Sequence, residues 1–496
     1  MQFRNHAIIP LLSLVAILMA AGGCEKPLHF PAASMPDAAK GAGAFAAYDT
    51  NDDGQADFYT FTNGDGRIDR IGYDHNRDNK VDDIVHLDSI PLDNCRHIVL
   101  ILDGFGYDVA REFYDKGNLR FCHAPSKVIA PYPTLTDLCM EDLLDYIPCP
   151  GFEAKYFDRH KNEIVGGSGA YVRGENEPYN RLLNYRADLI WDAIGYVYPW
   201  EVFGKELNDS MRKVRNHETR EFIAYYVSLA GVSTRYGKEG QVRALEQIDR
   251  FINQAYWQTR GLVKVTLIAD HGHTYTRANR IPLESYLAGK GWRLADSLSG
   301  PRDVAYIRFG LETYASFYTL SREALAADLI AHQGVEIASY TEDSDIIVLG
   351  RDGARARIRE KSRRFKYEML SGDPLIMKGI LDKLKPDADG FYDAKDLFDA
   401  SFEHVYPSPL QRIWRAHFAL AQNVPDVIVS LADNYYSGLE SFAGSIQMVS
   451  THGGLNRVNS TAFIMTSAGK LPPHMQSLDV PPNMKALTGR DFPMRR

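Results

Sequence analysis

The sequence has no excess of positive charge. Its 64 Asp and Glu outnumber 56 Lys and Arg, giving a formal net charge of −8, so it lacks the basic balance that nucleic-acid binding favours. Cysteine is scarce: five in 496 residues, none at the CxxC spacing of a zinc knuckle. A membrane-spanning helix needs about 20 consecutive apolar residues. The apolar run Ala7–Ala21 is shorter than that and is broken by Pro10 and Ser13.

What that run does suggest is an address. Arg4 supplies a positive start, the apolar stretch follows, and small residues lead to Cys24, the layout of a secretory signal. Small residues ending in Cys resemble a bacterial lipobox, although Ala21 stands where Leu is more usual. Residues 1–24 are therefore expected to be a lipoprotein-type signal peptide with Cys24 lipidated. The protein would be exported and held on a membrane by its lipid anchor, facing the periplasm or cell exterior. Residues 25–45, small and rich in Pro, Ala and Gly, suit a flexible tether. Export also permits disulfides, and one or two are expected among Cys95, Cys122, Cys139 and Cys149.

Residues 46–92 carry a quasi-repeat of oxygen-bearing side chains at alternate positions. Asp49, Asn51, Asp53 and Asp57 make the first copy; Asn63, Asp65 and Asp69 the second; Asp74, Asn76, Asp78 and Asp82 the third. Alternating oxygens around a tight turn suit Ca²⁺, a hard cation that takes oxygen ligands. The loops resemble calcium loops of extracellular repeats, without the twelfth-position Glu of an EF-hand. The competing interpretation is a set of Asx-turns without metal.

Three further stretches carry chemistry. Lys264–Ala269 is an apolar, β-branched run ending in Asp270-His271-Gly272-His273, and His97–Leu102 is a second, ending in Asp103-Gly104-Phe105-Gly106. Ligands gather beyond the carboxyl ends of strands in open α/β sheets, and zinc accepts both carboxylate and imidazole. The third is Pro131-Tyr132-Pro133-Thr134-Leu135-Thr136-Asp137, which leads into a helix over about 138–144. A hydroxyl there is either an N-cap or a nucleophile in the positive end of a helix dipole.

These stretches, followed by Ser450-Thr451-His452-Gly453-Gly454, occur in an order that resembles the alkaline phosphatase superfamily, in particular its type I phosphodiesterase/nucleotide pyrophosphatase branch. The resemblance covers roughly residues 95–496. It implies an α/β fold with a central sheet flanked by helices, a catalytic domain over 93–496 and a cap-like insertion at about 280–425. It also implies a site for one or two zinc ions, with Mn²⁺ as the alternative metal. Asp103, Asp270 and His271 match ligands of one ion and His452 a ligand of the other. Thr136 matches the nucleophile that forms a phosphothreonine, with Thr134 as the neighbouring alternative.

Two departures stand out. The Asp and His of the second ion fall on Ser228 and Val232, and the family's transition-state Asn falls on Ala154, with Lys155 beside it. Three explanations compete: His273 substitutes, one metal suffices, or the site is a relic. His404 and His417 have no partner at ligand spacing and are expected to be structural. The basic run Arg355–Lys366 is expected to be a solvated strand-helix face.

The leading expectation is an exported metal-dependent phosphoester hydrolase acting on a small-molecule phosphoester or nucleotide. The alternative is a catalytically weak or inactive, calcium-stabilised surface protein of the same fold.

Overall fold

The computed structural model describes residues 30–33, 44–188, 191, 194–216, 220–439 and 448–494. The residues expected to form the signal peptide, Cys24 among them, and most of those expected to form the tether lie outside the described residues.

Apolar strands with β-branched side chains build a seven-stranded central sheet. Its members are β1 (Arg96–Leu102), β2 (Ser126–Ile129), β3 (Tyr185–Arg186), β4 (Glu221–Tyr226), β5 (Val263–Ala269), β6 (Thr461–Thr466) and β7 (His474–Gln476). Their spatial order is β7-β2-β6-β5-β1-β4-β3. All run parallel except β6, which is antiparallel to both neighbours. Parallel strands covered on both faces read as continuous hydrophobic runs, and β5 is buried at every position. Leu100, Ile101 and Leu102 of β1 are also fully buried; burying one such side chain contributes about 1.5–3 kcal/mol.

Helices α1 (Tyr107–Asp115), α2 (Thr136–Leu144), α3 (Pro199–Asn216) and α4 (Ser228–Thr259) flank this sheet. The architecture is mixed α/β, with a large central sheet between helices.

Register sets the geometry of the carboxyl edge. Leu102 of β1 pairs with Ala269 of β5 and with Tyr226 of β4. The next residues, Asp103, Asp270 and Val227, therefore leave the sheet side by side.

A nine-stranded sheet fills much of residues 293–431. Val427–Leu431 lies near its middle, antiparallel to Tyr314–Thr319 and Val335–Glu342, so this sheet takes in chain beyond residue 425. The basic run forms a strand–strand hairpin, Arg355–Lys361 with Arg364–Ser371, where a strand followed by a helix was expected. Its cations pair with Glu342, Asp345, Glu368 and Asp387.

The oxygen-rich loops connect a four-stranded antiparallel sheet (Ala46–Tyr48, Phe58–Thr62, Ile68–Tyr73, Asp83–His86). Tyr48, Phe58 and Tyr73 share one core with the central sheet, and Tyr73 Oη donates to the Trp257 carbonyl at 2.9 Å. This small sheet is thus packed onto the end of α4.

The expected disulfides are absent. Cys95, Cys122, Cys139 and Cys149 are all free and buried. Cys95 precedes β1, Cys122 lies between α1 and β2, Cys139 is within α2, and Cys149 follows it. Each fills its own place as a small apolar side chain; Cys149 Sγ faces the Asp137 carbonyl and Cys122 Sγ that of Val265.

Candidate metal centre

The site grows from the strand ends. Asp270, His271 and His273 are completely buried, and Asp103 is nearly so. Asp103, Asp270 and His271 each offer a ligand atom, and these atoms lie within 4.8 Å of one another. That is the one His/Cys/Asp/Glu group of this kind among the described residues. His271 Nε2 stands 3.4 Å from Asp270 Oδ2 and 3.7 Å from Asp103 Oδ1.

Surrounding groups fix each side chain. Asp270 Oδ1 accepts from the backbone N–H of Gly104 and of His271, both at 2.9 Å, while its Oδ2 has no hydrogen-bond partner. The Tyr225 hydroxyl on β4 donates to Asp103 Oδ2. His271 Nδ1 bonds to the Gly272 carbonyl at 3.0 Å; a carbonyl only accepts, so the proton is on Nδ1 and the Nε2 lone pair faces the carboxylates. Gly272 is required by close approach: a Cβ there would lie 2.1 Å from the Val458 carbonyl.

Helix α2 brings Thr136 to this group. Thr136 is its first residue, and the N-cap position is Leu135, so Thr136 is not the cap. Its Oγ1 lies 3.4 Å from His271 Nε2. Asp137 anchors the same helical turn, accepting from Asn176 Nδ2 at 2.6 Å and Tyr179 Oη at 2.8 Å.

Thr134 has a different task. Its Oγ1 accepts from Gly453 N at 2.8 Å, and its carbonyl accepts from His452 Nδ1 at 2.8 Å. It clamps the turn that carries His452. The His452 ring stacks on His271, centroids 4.1 Å apart and planes at 20°.

Burial dominates the electrostatics. It pushes the Asp270 carboxyl up to about 6. It lowers His271 to about 4, and His452 to about 3 with the help of neighbouring His271. His273 is also held well below its usual value, first by burial, then by His452 and His271. Neutral imidazoles beside carboxylates, with Asp270 Oδ2 left without a donor, are a donor set that fits a divalent cation of zinc type.

Of the residues singled out in the sequence, Asp103, Thr136, Asp270, His271, His273 and His452 converge here. Ser228 and Val232 bring no ligand: the Ser228 hydroxyl donates to the buried Glu206 carboxylate of α3, and Val232 is buried among apolar neighbours. Lys155 opens the strand Lys155–Asp158 and lies close to Glu153. His417 is a core residue, with Nε2 2.9 Å from Ser339 Oγ; His404 Nδ1 accepts from the Tyr406 N–H at 3.2 Å and its Nε2 donates to the Ile376 carbonyl at 3.1 Å.

In the oxygen-rich loops, side chains accept backbone N–H groups. Asp49 accepts from Asp53 and Gly54, and Asp74 from Arg77 and Asn79. Asp57 and Asp82 close their loops from the far end, and Asn63 accepts from Asp65 and Arg67. The first and third copies share the N–H bond five residues on and the closing acid, and differ in the other donor, four residues on from Asp49 and three from Asp74.

Tyr225, Glu206 and Ser450 were not read as site residues. Their partners are 122, 22 and 177 positions away, and no local spacing signals such contacts.

No protein-family model matches the chain, and no curated protein matches it. Among solved structures it is similar to murine ectonucleotide pyrophosphatase/phosphodiesterase 5, with a TM-score of 0.43 and 10% identity, over 81% of this chain and 97% of that one. The human protein of the same name gives a TM-score of 0.44 and 9% identity, over 81% and 96%.

Proposed function

We propose that the chain is a metal-dependent phosphoester hydrolase, of phosphodiesterase or nucleotide pyrophosphatase type, that works through a phosphothreonine at Thr136. The observation that carries this reading is the Thr136 hydroxyl, at the start of α2 and 3.4 Å from His271 Nε2, against the buried Asp103–Asp270–His271 group.

Asp103, Asp270 and His271 would hold zinc, or manganese in its place. When bound, such an ion lowers the pKa of an oxygen it touches and offsets charge developing on the phosphoryl group. The chain's own residues do the rest. The N-terminus of α2 favours negative charge at Thr136, and the Nδ1–H bond of His271 to Gly272 holds its ring in place. Thr136 Oγ forms a bond to phosphorus as the bond to the leaving alcohol breaks. Water then hydrolyses the phosphothreonine and restores the hydroxyl.

A second reading is a phosphatase-like binding protein without turnover. The engagement of Ser228 with Glu206 favours it, because the position expected to supply a second carboxylate ligand is committed elsewhere. Hydrolysis of bis-p-nitrophenyl phosphate separates the two. The enzyme reading expects turnover stimulated by Zn²⁺ or Mn²⁺ and abolished in Thr136→Ala. Turnover unchanged in Thr136→Ala would overturn the nucleophile, and no turnover with any divalent ion leaves the binding protein.

Export with a lipid anchor at Cys24 is part of the proposal; no described helix is long and apolar enough to cross a membrane. Calcium in the three N-terminal loops is another part. Chelation should then lower the melting temperature, and Asp53→Ala combined with Asp78→Ala should remove that effect. A melting curve indifferent to chelation would leave the loops as metal-free Asx-turns.

A further inference from the structure

Three imidazoles meet at the carboxyl edge of the sheet, yet the Asp103–Asp270–His271 group uses only one of them. His452 and His273 remain. The His452 Nδ1 proton is taken by the Thr134 carbonyl, so its Nε2 carries a lone pair. His273 is completely buried, with Nδ1 2.8 Å from Ser450 Oγ and no hydrogen-bond partner for Nε2. That edge of the ring lies against Gly104: a Cβ there would lie 2.6 Å from Nε2, 2.7 Å from Cδ2 and 3.4 Å from His271 Cε1. Gly104 has φ +70° and follows Asp103 directly, so this edge of His273 lies beside the ligand cluster. Buried polar atoms are normally paired, and an unpaired ring nitrogen at this place calls for an occupant.

Ring geometry says what kind. His271 and His452 stack with ring centroids 4.1 Å apart and planes at 20°. With their Nδ1 protons held by the Gly272 and Thr134 carbonyls, both rings keep an Nε2 lone pair for a cation. His273 does not stack on His452; its ring is 5.2 Å away and tilted by 53°, so the two planes converge. The helix α4 supplies nothing here, since Ser228 is turned to Glu206 and Val232 is apolar.

We propose that His273 and His452 together hold a second divalent cation of zinc type beside the first, His273 replacing the donors that Ser228 and Val232 do not provide. This rests on the reading of Asp103, Asp270 and His271 as the first ion's ligands. Asp270, whose buried Oδ2 has no hydrogen-bond donor, is the carboxylate with an oxygen left for sharing between the two ions. Because His273 and His452 stand outside the tight three-residue group, the second ion binds more weakly than the first. Loading is sequential.

The test uses the full chain, stripped with a chelator and titrated with Zn²⁺ by equilibrium dialysis with elemental analysis. A parallel titration with Co²⁺ follows the visible absorption of the ion. The wild type should take up two equivalents in two steps. His273→Gln should take up one, with the affinity of the first step unchanged. Ser450→Ala keeps the ring but removes the group that orients it, and should weaken only the second step, by about 10–100-fold as outer-shell substitutions do. Ser450→Ala also serves should His273→Gln fail to fold, as judged by circular dichroism.

Equal stoichiometry and affinities in the wild type and the variants would overturn the inference. A wild type that takes up one ion, lost in Asp270→Asn but kept in His273→Gln, removes the second site and leaves the first intact. A wild type that takes up none removes both.

Discussion

Tyr225 on β4 reaches across to β1 and donates its hydroxyl to Asp103 Oδ2. The bond holds one carboxylate oxygen and so presents the other, Oδ1, to His271. Outer-shell hydrogen bonds of this kind typically contribute 10–100-fold to metal affinity. Tyr225→Phe keeps the buried ring and removes only the hydroxyl. We expect it to lower zinc affinity by about that factor, measured by competition with a chromogenic chelator, with little change in the far-ultraviolet circular dichroism. Unchanged affinity would mean that the strand end alone orients Asp103.

Thr134 and Thr136 are two residues apart and separate cleanly by experiment. Thr134→Val keeps the shape but leaves the Gly453 N–H unpaired, which costs about 1–3 kcal/mol when buried. Its carbonyl still holds His452. The variant should melt at lower temperature yet retain hydrolysis of a phosphodiester at permissive temperature. Thr136→Ala should do the reverse, losing turnover at nearly unchanged stability. If Thr134→Val abolished turnover in a folded protein, the clamp assignment would be wrong.

His417 gives a pH dependence remote from the candidate metal centre. Burial, with Arg322 nearby, lowers its folded pKa to about 3, below the unfolded value of about 6.5. Above pH 6.5 both states are neutral and the contribution is fully present. As pH falls from 6.5 towards 3 the unfolded chain binds a proton that the folded chain does not, and stability drops by about 1.4 kcal/mol per pH unit. His417→Gln cannot take up that proton. Its denaturant midpoint should fall less steeply between pH 6 and 4 than that of the wild type; identical slopes would show that other groups govern acid unfolding.

Some of this was legible in the chain because strands announce their ends. The runs before Asp103 and Asp270 are apolar enough to be buried on both faces, and the acid that breaks each run marks the carboxyl edge. Thr136 and His452 were legible only as members of an ordered set, since each alone suits a cap or a turn. The choice between Thr134 and Thr136 was not legible. It depends on which hydroxyl the Gly453 turn occupies, a contact across 319 positions. The free cysteines were misjudged because an expected export permits disulfides without requiring them, and spacing does not reveal that four thiols sit on separate elements. The hairpin at Arg355–Lys366 was misread because its charges hide a strand alternation that only pairing with Asp345–Gly350 makes plain.

The pairing of Leu102 with Ala269 has a temporal consequence. The centre takes its side chains from positions 103, 136, 270, 271 and 452, so no contiguous piece of the chain contains it. Contacts of such long sequence separation form late, because loop closure must precede them. A refolding chain should therefore regain most of its helix signal before it can capture an ion. Metal uptake would then act as a clock for completed assembly, and a cation added early would find no place to bind.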